Sequence, residues 1–167
     1  MEMEKKMTIT NLIKTRRTIK MFKPDPIGES DLMNWLEAAS YAPNHRMTEP
    51  WELLFLGPDT RAKLNHKTDF GSAPVVFAII SKPAATSFER DENIMASSCF
   101  AQNFLLAAHE AGVGSYWASL GALPHNRNIL AVPEDYDVIG IFGVGYPVEV
   151  PNAKPRTPIM SKITYLS

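Results

Sequence analysis

The chain has 167 residues and a mass of 18.6 kDa, the size of one domain and enough to bury roughly two-thirds of the surface that the unfolded chain exposes. Hydrophobic residues form 45% and charged residues 21% of the composition, fractions that exclude disordered, collagen-like and disulfide-scaffold classes. The formal net charge of -1 gives no overall attraction to nucleic acids or acidic membranes, so an anion-binding function needs a local concentration of bases.

The sequence contains little that suggests a secretory signal, a membrane-spanning run or a reactive cysteine. Residues Met1 to Lys6 are charged and lead into no apolar segment typical of a secretory signal. The longest apolar run, Val75 to Ile80, is far shorter than the ~20 residues that cross a bilayer. We therefore expect a cytoplasmic protein that does not bind membranes. The single cysteine, Cys99, has apolar neighbours that predict a packed thiol rather than a nucleophile.

The predicted elements begin with a helix capped by Thr8, and its last turn includes Arg16 and Arg17. A second helix is predicted after a capping Ser30 and closes before Pro43. The next predicted elements are a strand over 51–56, a short helix over 60–65, and a strand over 75–80. The continuous β-branched and aromatic composition of the 75–80 run predicts burial on both faces, at the centre of a sheet.

The longest predicted helix spans Glu89 to Ala111 and carries apolar residues on nearly every face. Such a helix must be covered all round, which favours a homodimer; a central core helix in a monomer is the alternative. Extended chain over 115–120 and a buried strand over 138–144 follow, and the proline-rich tail through Pro158 is not expected to be helical. Without a repeat or linker, residues 1–167 are predicted to form a single domain.

Two segments at opposite ends of the chain are basic and contain no acid. Residues 14–23 and 151–167 together hold eight of the 17 basic residues, namely Lys14, Arg16, Arg17, Lys20, Lys23, Lys154, Arg156 and Lys162. The first cluster alone is compatible with a solvated helix end, where cations meet the negative pole of the helix dipole. Alternatively, both segments converge on one phosphate, which guanidinium groups bind well.

Several common functional signatures are absent from the sequence. The four histidines show no i, i+4 pairing and there is one cysteine, so we expect no metal site. No P-loop occurs, and neither Gly-x-Gly segment continues as a dinucleotide-binding fingerprint. The sequence Ser119-Leu120-Gly121 lacks the leading glycine of a hydrolase nucleophile elbow. No nucleic-acid-binding module is recognisable, so no nucleic-acid partner is expected.

Four remaining motifs carry a family resemblance. They are Arg16-Arg17-Thr18-x-Lys20, Ala42-Pro43-Asn44-His45 leading into Glu49-Pro50-Trp51, Trp117-Ala118-Ser119, and Lys154-Pro155-Arg156. Their order and spacing resemble the FMN-dependent nitroreductase family over essentially the whole chain. The resemblance implies an α+β fold with a central, mostly antiparallel sheet flanked by helices. It also implies an intertwined homodimer with two FMN sites at its interface.

The same resemblance implies roles for individual residues. Arg16, Thr18 and Lys20 would hold the FMN phosphate and ribityl chain or the pyrimidine edge of the ring, with Arg17 contributing mainly backbone contacts. Lys154 and Arg156 would close on the phosphate. The partner chain would lay a loop with Pro43, Asn44 and His45 against the flavin. The strand end beneath the ring would be Trp117, Ala118 and Ser119, and residues 163–166 would extend across the partner.

Two positions depart from the family pattern, because Met47 stands where many relatives have Asn and Glu49 where they have Gln. The implied reaction takes hydride from NADH or NADPH and reduces a small electrophile such as a nitroaromatic or quinone by a ping-pong mechanism. Since the flavin carries this chemistry, no catalytic side chain is expected. Dehalogenation or oxidation on the same scaffold, and a non-catalytic flavin-binding protein, remain alternatives.

Overall fold

A computed structural model describes residues 8–166. In that range the helical segments are α1 (Ile9–Thr15), α2 (Glu29–Ser40), α3 (Pro58–Leu64), the single turn α4 (Asp69–Ser72), α5 (Ser87–Glu110) and α6 (Pro124–Ile129). The strands are β1 (Trp51–Phe55), β2 (Val75–Ser81), β3 (Gly114–Ala118) and β4 (Asp137–Gly145). Short 3-10 segments lie at His45–Met47, Leu120–Ala122 and Ile159–Lys162. The charged start, residues 1–6, lies outside the described residues.

The four strands form one antiparallel sheet in the order β1-β2-β4-β3. The predicted central position of the 75–80 run is confirmed, because β2 lies between β1 and β4. Helices cover both faces of the sheet. On one face α2 and α5 pack around Phe77, whose ring stacks on Phe142 at 5.6 Å and meets Phe104 edge-on at 5.2 Å. On the other face α3 and the α4 turn bury Val76 and Ile141.

Helix α5 is 24 residues long and therefore spans about 36 Å. Its sheet-facing side is buried, but Met95 is 60% exposed and Cys99 is also exposed. The predicted packed thiol is wrong for the protomer, because Cys99 lies on the side of α5 that points away from the sheet. The apolar composition on nearly every face thus leaves apolar surface uncovered in a single chain.

The observed ends of the first two helices agree only in part with the predicted ends. Thr8 caps α1 as predicted, its hydroxyl accepting from the backbone N–H of Asn11 at 3.3 Å. The helix ends at Thr15, so the prediction that Arg16 and Arg17 form its last turn is wrong. Helix α2 begins at Glu29, with Gly28 at its N-cap position and no side-chain cap. The predicted cap, Ser30, therefore lies two residues too late. It ends at Ser40, before Pro43 as predicted.

The α4 turn has left-handed backbone conformation at all four positions, with φ between 42° and 72° over Asp69–Ser72. Its carbonyl at Gly71 accepts from the N–H of Phe22 at 3.0 Å. A Cβ atom at Gly71 would lie 2.2 Å from the carbonyl oxygen of Lys20. The turn therefore packs against the backbone of residues 20–22, and the close contact requires glycine at position 71.

Gly71→Ala is expected to destabilise the fold by about 2 kcal/mol or more, because left-handed strain and a backbone clash combine. Gly112→Ala is the matched control, since Gly112 has a similar φ of 76° but open space around its Cβ position. That variant should lose only about 1 kcal/mol. Urea unfolding of both variants measures the difference, and equal losses would show that the contact with Lys20 is unimportant.

Among residues 8–166, none of the helices combines the length and apolar composition that crossing a membrane requires.

Candidate functional site

The chain that follows α1 runs extended along the end of the sheet. Thr18 forms a parallel bridge with Ser115 of β3, and the N–H of Ile19 donates to the Ser115 carbonyl at 2.9 Å. Further along, the N–H of Val148 donates to the carbonyl of Met21 at 3.1 Å. These bonds fix residues 18–21 between the start of β3 and the segment after β4, so the two ends of the sequence lie side by side.

A cavity of about 610 Å³ opens where these two ends meet, and we call it the cationic cavity. Its volume lies within the usual range for ligand sites. Six of its lining residues are basic, namely Lys14, Arg16, Arg17, Lys20, Lys154 and Arg156. The remaining ones are Ile13, Thr18, Pro151, Asn152 and Ala153, so no acid lines it among the residues that the structure describes. The convergence of the two acid-free segments is confirmed.

Arg16 is half-buried beside the cationic cavity. Partial burial, then the charges of Arg17 and Arg156, lower the pKa of the Arg16 guanidinium. The effect of Arg156 on a residue 140 positions earlier shows that both basic segments share one electrostatic environment. Uncompensated cations in a partly buried cavity favour binding of an anion, since the anion relieves their mutual repulsion.

Arg17 and Lys20 are held differently. The Arg17 guanidinium donates to the carbonyls of Lys14 at 2.7 Å and Arg16 at 2.8 Å, so it satisfies backbone groups where α1 ends. The Lys20 ammonium lies 4.0 Å from the centre of the Tyr116 ring. Lys20 lines the cavity with its ammonium against an aromatic ring, which attracts a cation but carries no opposite charge.

The loop with Pro43, Asn44 and His45 does not line the cationic cavity of its own protomer. The Asn44 side chain ties the loop together: its amide donates to the carbonyl of Ala42 at 3.1 Å, and its oxygen accepts from the N–H of Glu49 at 3.0 Å. The loop is strained, with left-handed φ at Arg46, Met47 and Glu49. Met47 is 73% exposed, which leaves its thioether free to contact another molecule.

Helix α5 separates this loop from the cationic cavity. His45 lies 3.7 Å from Glu92, near the start of α5. Thr15, which lies between the cavity residues Lys14 and Arg16, contacts His109 near the end of the same helix. Seventeen residues of helix between Glu92 and His109 correspond to about 25 Å. One protomer therefore cannot bring Asn44 and His45 to its own cationic cavity.

The motif Trp117-Ala118-Ser119 also lies outside the lining of the cavity. Trp117 and Ala118 occupy the far end of β3, beyond the Ser115 and Tyr116 positions that contact residues 18–20, and Ser119 follows the strand. The indole N–H of Trp117 donates to the carbonyl of Ile139 at 3.1 Å, and the side chain is 38% exposed. Ala118 is buried, whereas Ser119 is exposed.

Sequence reasoning missed some of the cavity wall. The helical spacing of Ile9, Leu12 and Ile13 predicts an apolar face of α1 for Ile13 rather than a cavity lining, and residues 151–153 carry no recognised motif. Tyr116, which contacts Lys20, also lacked a signal, because the contact joins residues 96 positions apart. Lys14 belongs to the acid-free segment 14–23 that the charge pattern singles out, although the family resemblance gives it no role.

Comparison with known proteins identifies the family of this chain. The model of the nitroreductase family matches residues 13–68 and 56–146, which together span most of the chain. The chain belongs to the nitroreductase family. It is 29% identical to YfhC of Bacillus subtilis (strain 168), provisionally named an NAD(P)H nitroreductase, over an alignment covering 93% of each chain.

Two solved structures support the same assignment of fold. A nitroreductase-like family protein from Bacillus cereus aligns over 98% of both chains with a TM-score of 0.88 and 28% identity. An NADPH:FMN oxidoreductase from Vibrio harveyi, solved in complex with NAD+, covers 95% of this chain and 76% of its own at 20% identity, with a TM-score of 0.86. The expected α+β nitroreductase fold with its antiparallel sheet and flanking helices is confirmed.

Proposed function

We propose that this nitroreductase-family protein is an FMN-dependent oxidoreductase that takes hydride from NADH or NADPH and reduces small flat electrophiles. The observation that carries the proposal is the cationic cavity, with six bases from both ends of the chain and no acid among its described lining residues. The names of the Bacillus subtilis and Vibrio harveyi proteins support NAD(P)H as the reductant and FMN as the flavin.

The donor set of the cavity suits a phosphate-bearing cofactor. Guanidinium groups bind phosphate through paired, charge-assisted hydrogen bonds, and the positive charge of Arg156 helps to lower the pKa of Arg16. We assign these two residues and Lys154 to the phosphate. Thr18 would hold the ribityl chain, and Arg17 would keep the backbone in place through its bonds at the end of α1.

Bound FMN would supply the hydride-accepting and hydride-donating chemistry, so this chain needs no catalytic acid, base or metal. The protein's task is to bind and tune the cofactor. Lys20 provides a cation at the edge of the cavity, where it would stabilise negative charge on the reduced ring. The Tyr116 ring holds the ammonium at this position through a cation–π contact.

The complete site is proposed to need a homodimer. The contacts of His45 and of Thr15 with α5 lie about 25 Å apart along that helix, so the loop with Asn44 and His45 would have to serve the cavity of a second copy. The exposed Met95 and Cys99 of α5 and the exposed tail residues Tyr165 and Leu166 offer apolar surface for that copy. Trp117 and Ser119, exposed at the far end of β3, would then line the ring side of the shared site.

Steady-state kinetics tests the proposed reaction. NADH or NADPH and the acceptor would use the same slot in turn, so double-reciprocal plots at several quinone or nitroaromatic concentrations should be parallel. Intersecting lines would contradict the shared slot. A protein that binds FMN but is reduced by neither nucleotide would instead be a flavin-binding protein without this activity.

A further inference from the structure

His109 contacts the end of α1, among the residues that line the cationic cavity. Its Nε2 atom lies 2.9 Å from the hydroxyl oxygen of Thr15, a residue 94 positions earlier and adjacent to Arg16. The same hydroxyl donates to the carbonyl of Asn11 at 2.7 Å. A hydroxyl has one proton to donate, so the Thr15 oxygen must accept from the N–H at Nε2 of His109.

This bond is compatible with both charge states of the imidazole. In the neutral ring Nε2 carries the proton, and in the cation both nitrogens do. Protonation at Nδ1 therefore leaves the bond to Thr15 intact, and His109 can gain a charge without releasing α1.

The surroundings of His109 disfavour that charge in the ligand-free protein. Partial burial, then the charges of Arg16 and Arg17, lower the pKa of His109. These three residues line a small cavity of about 130 Å³ beside the cationic cavity. The loop after α5, β3 and the segment after β4 contribute only uncharged residues to it, and Glu110 is the next residue along α5.

We propose that His109 is a positioning residue for Arg16 and Arg17, and that it takes up a proton from solvent when the cationic cavity binds the FMN phosphate. The inference rests on the proposed function. A phosphate dianion cancels much of the local positive potential, so the imidazolium becomes less unfavourable in the complex than in the free protein. By reciprocity, FMN binds more tightly as pH falls below the ordinary titration range of histidine, near 6.5.

Fluorescence titration of flavin-free protein with FMN from pH 5.5 to 8.5 tests the proposal, with the wild type compared with His109→Gln. Glutamine can still donate to Thr15 but does not titrate. The ratio of variant to wild-type dissociation constants should be about threefold or more larger at pH 5.5 than at pH 8.5. The phosphate's own ionisation affects both proteins alike and cancels in the ratio.

Two further variants separate positioning from proton uptake. His109→Leu and Thr15→Val each remove the bond, so FMN binding should weaken at every pH. His125→Gln, which changes a histidine outside both cavities, should give a ratio that does not depend on pH.

A constant ratio for His109→Gln would overturn the proton uptake, and wild-type affinity in His109→Leu would overturn the positioning role. If the wild type bound no FMN at any pH, the proposed function itself would fail.

Discussion

Replacing Arg156 by alanine is expected to weaken FMN binding by about 1.5–3 kcal/mol, or roughly 10- to 150-fold, the range for a lost hydrogen bond to a charged group. Arg156 lines the cationic cavity, and its positive charge helps to lower the pKa of Arg16. Its Nη1 also donates to the carbonyl of Lys154 at 3.3 Å, a local bond within the tail segment. The dissociation constant can be measured by flavin fluorescence at fixed ionic strength.

The matched control for this prediction is Lys162→Ala. Lys162 belongs to the same acid-free tail and is exposed, but it does not line the cationic cavity. Removing it tests the effect of net charge alone, and we expect less than a twofold change at moderate salt, because solvent screens an exposed charge. Equal losses in Arg156→Ala and Lys162→Ala would show that the tail attracts FMN only through its overall charge.

Replacing Lys20 by methionine is expected to lower the two-electron potential of bound FMN by about 30 mV, equivalent to ~1.4 kcal/mol. Reduction by NADH or NADPH should slow by roughly tenfold if the whole effect reaches the barrier. The physical reason is the loss of a cation that would face negative charge on the reduced ring. Anaerobic stopped-flow reduction and equilibrium redox titration measure the two quantities.

Lys20→Arg is the matched variant for this experiment, because it keeps the charge and can still lie over the Tyr116 ring. It should retain most of the potential and rate. Both variants must be compared at full FMN occupancy, so that weaker binding is not mistaken for slower reduction. An unchanged potential in Lys20→Met would remove Lys20 from the tuning of the flavin.

Local patterns predicted β2 and β4 well, because these strands contain long apolar runs. The 75–80 and 138–144 runs became β2 and β4, extended by one residue at one end or both. The start of α2 was misplaced because Gly28 begins the helix without a side-chain cap, while Ser30 has the side chain typical of one. A cap signal therefore marked the right region but the wrong residue.

The end of α1 depended on a long-range contact. Helical spacing continues through Arg16 and Arg17, but the chain becomes extended at Arg16 and then pairs Thr18 with Ser115 of β3. Nothing near these residues in the sequence indicates that pairing. The left-handed turns at 46–49 and 69–72 were also missed, because mostly non-glycine residues adopt them.

The cationic cavity was the most predictable part of the site. Charge counting alone indicated that two acid-free segments could share one phosphate, and the structure brings them together. The Asn44 loop and the Trp117 strand end could not be joined to the cavity from one chain, because α5 and β3 hold them at a distance. Their roles at the flavin stay predictions that depend on the second copy.

The visible absorption spectrum of the purified protein, taken before and after anaerobic addition of NADH and NADPH with the released chromophore identified, tests the central claim most directly. We predict a yellow protein that carries FMN, sediments as a dimer and bleaches with at least one nucleotide. A colourless protein that cannot take up FMN would contradict the cofactor, the assigned site residues and the proposed activity together.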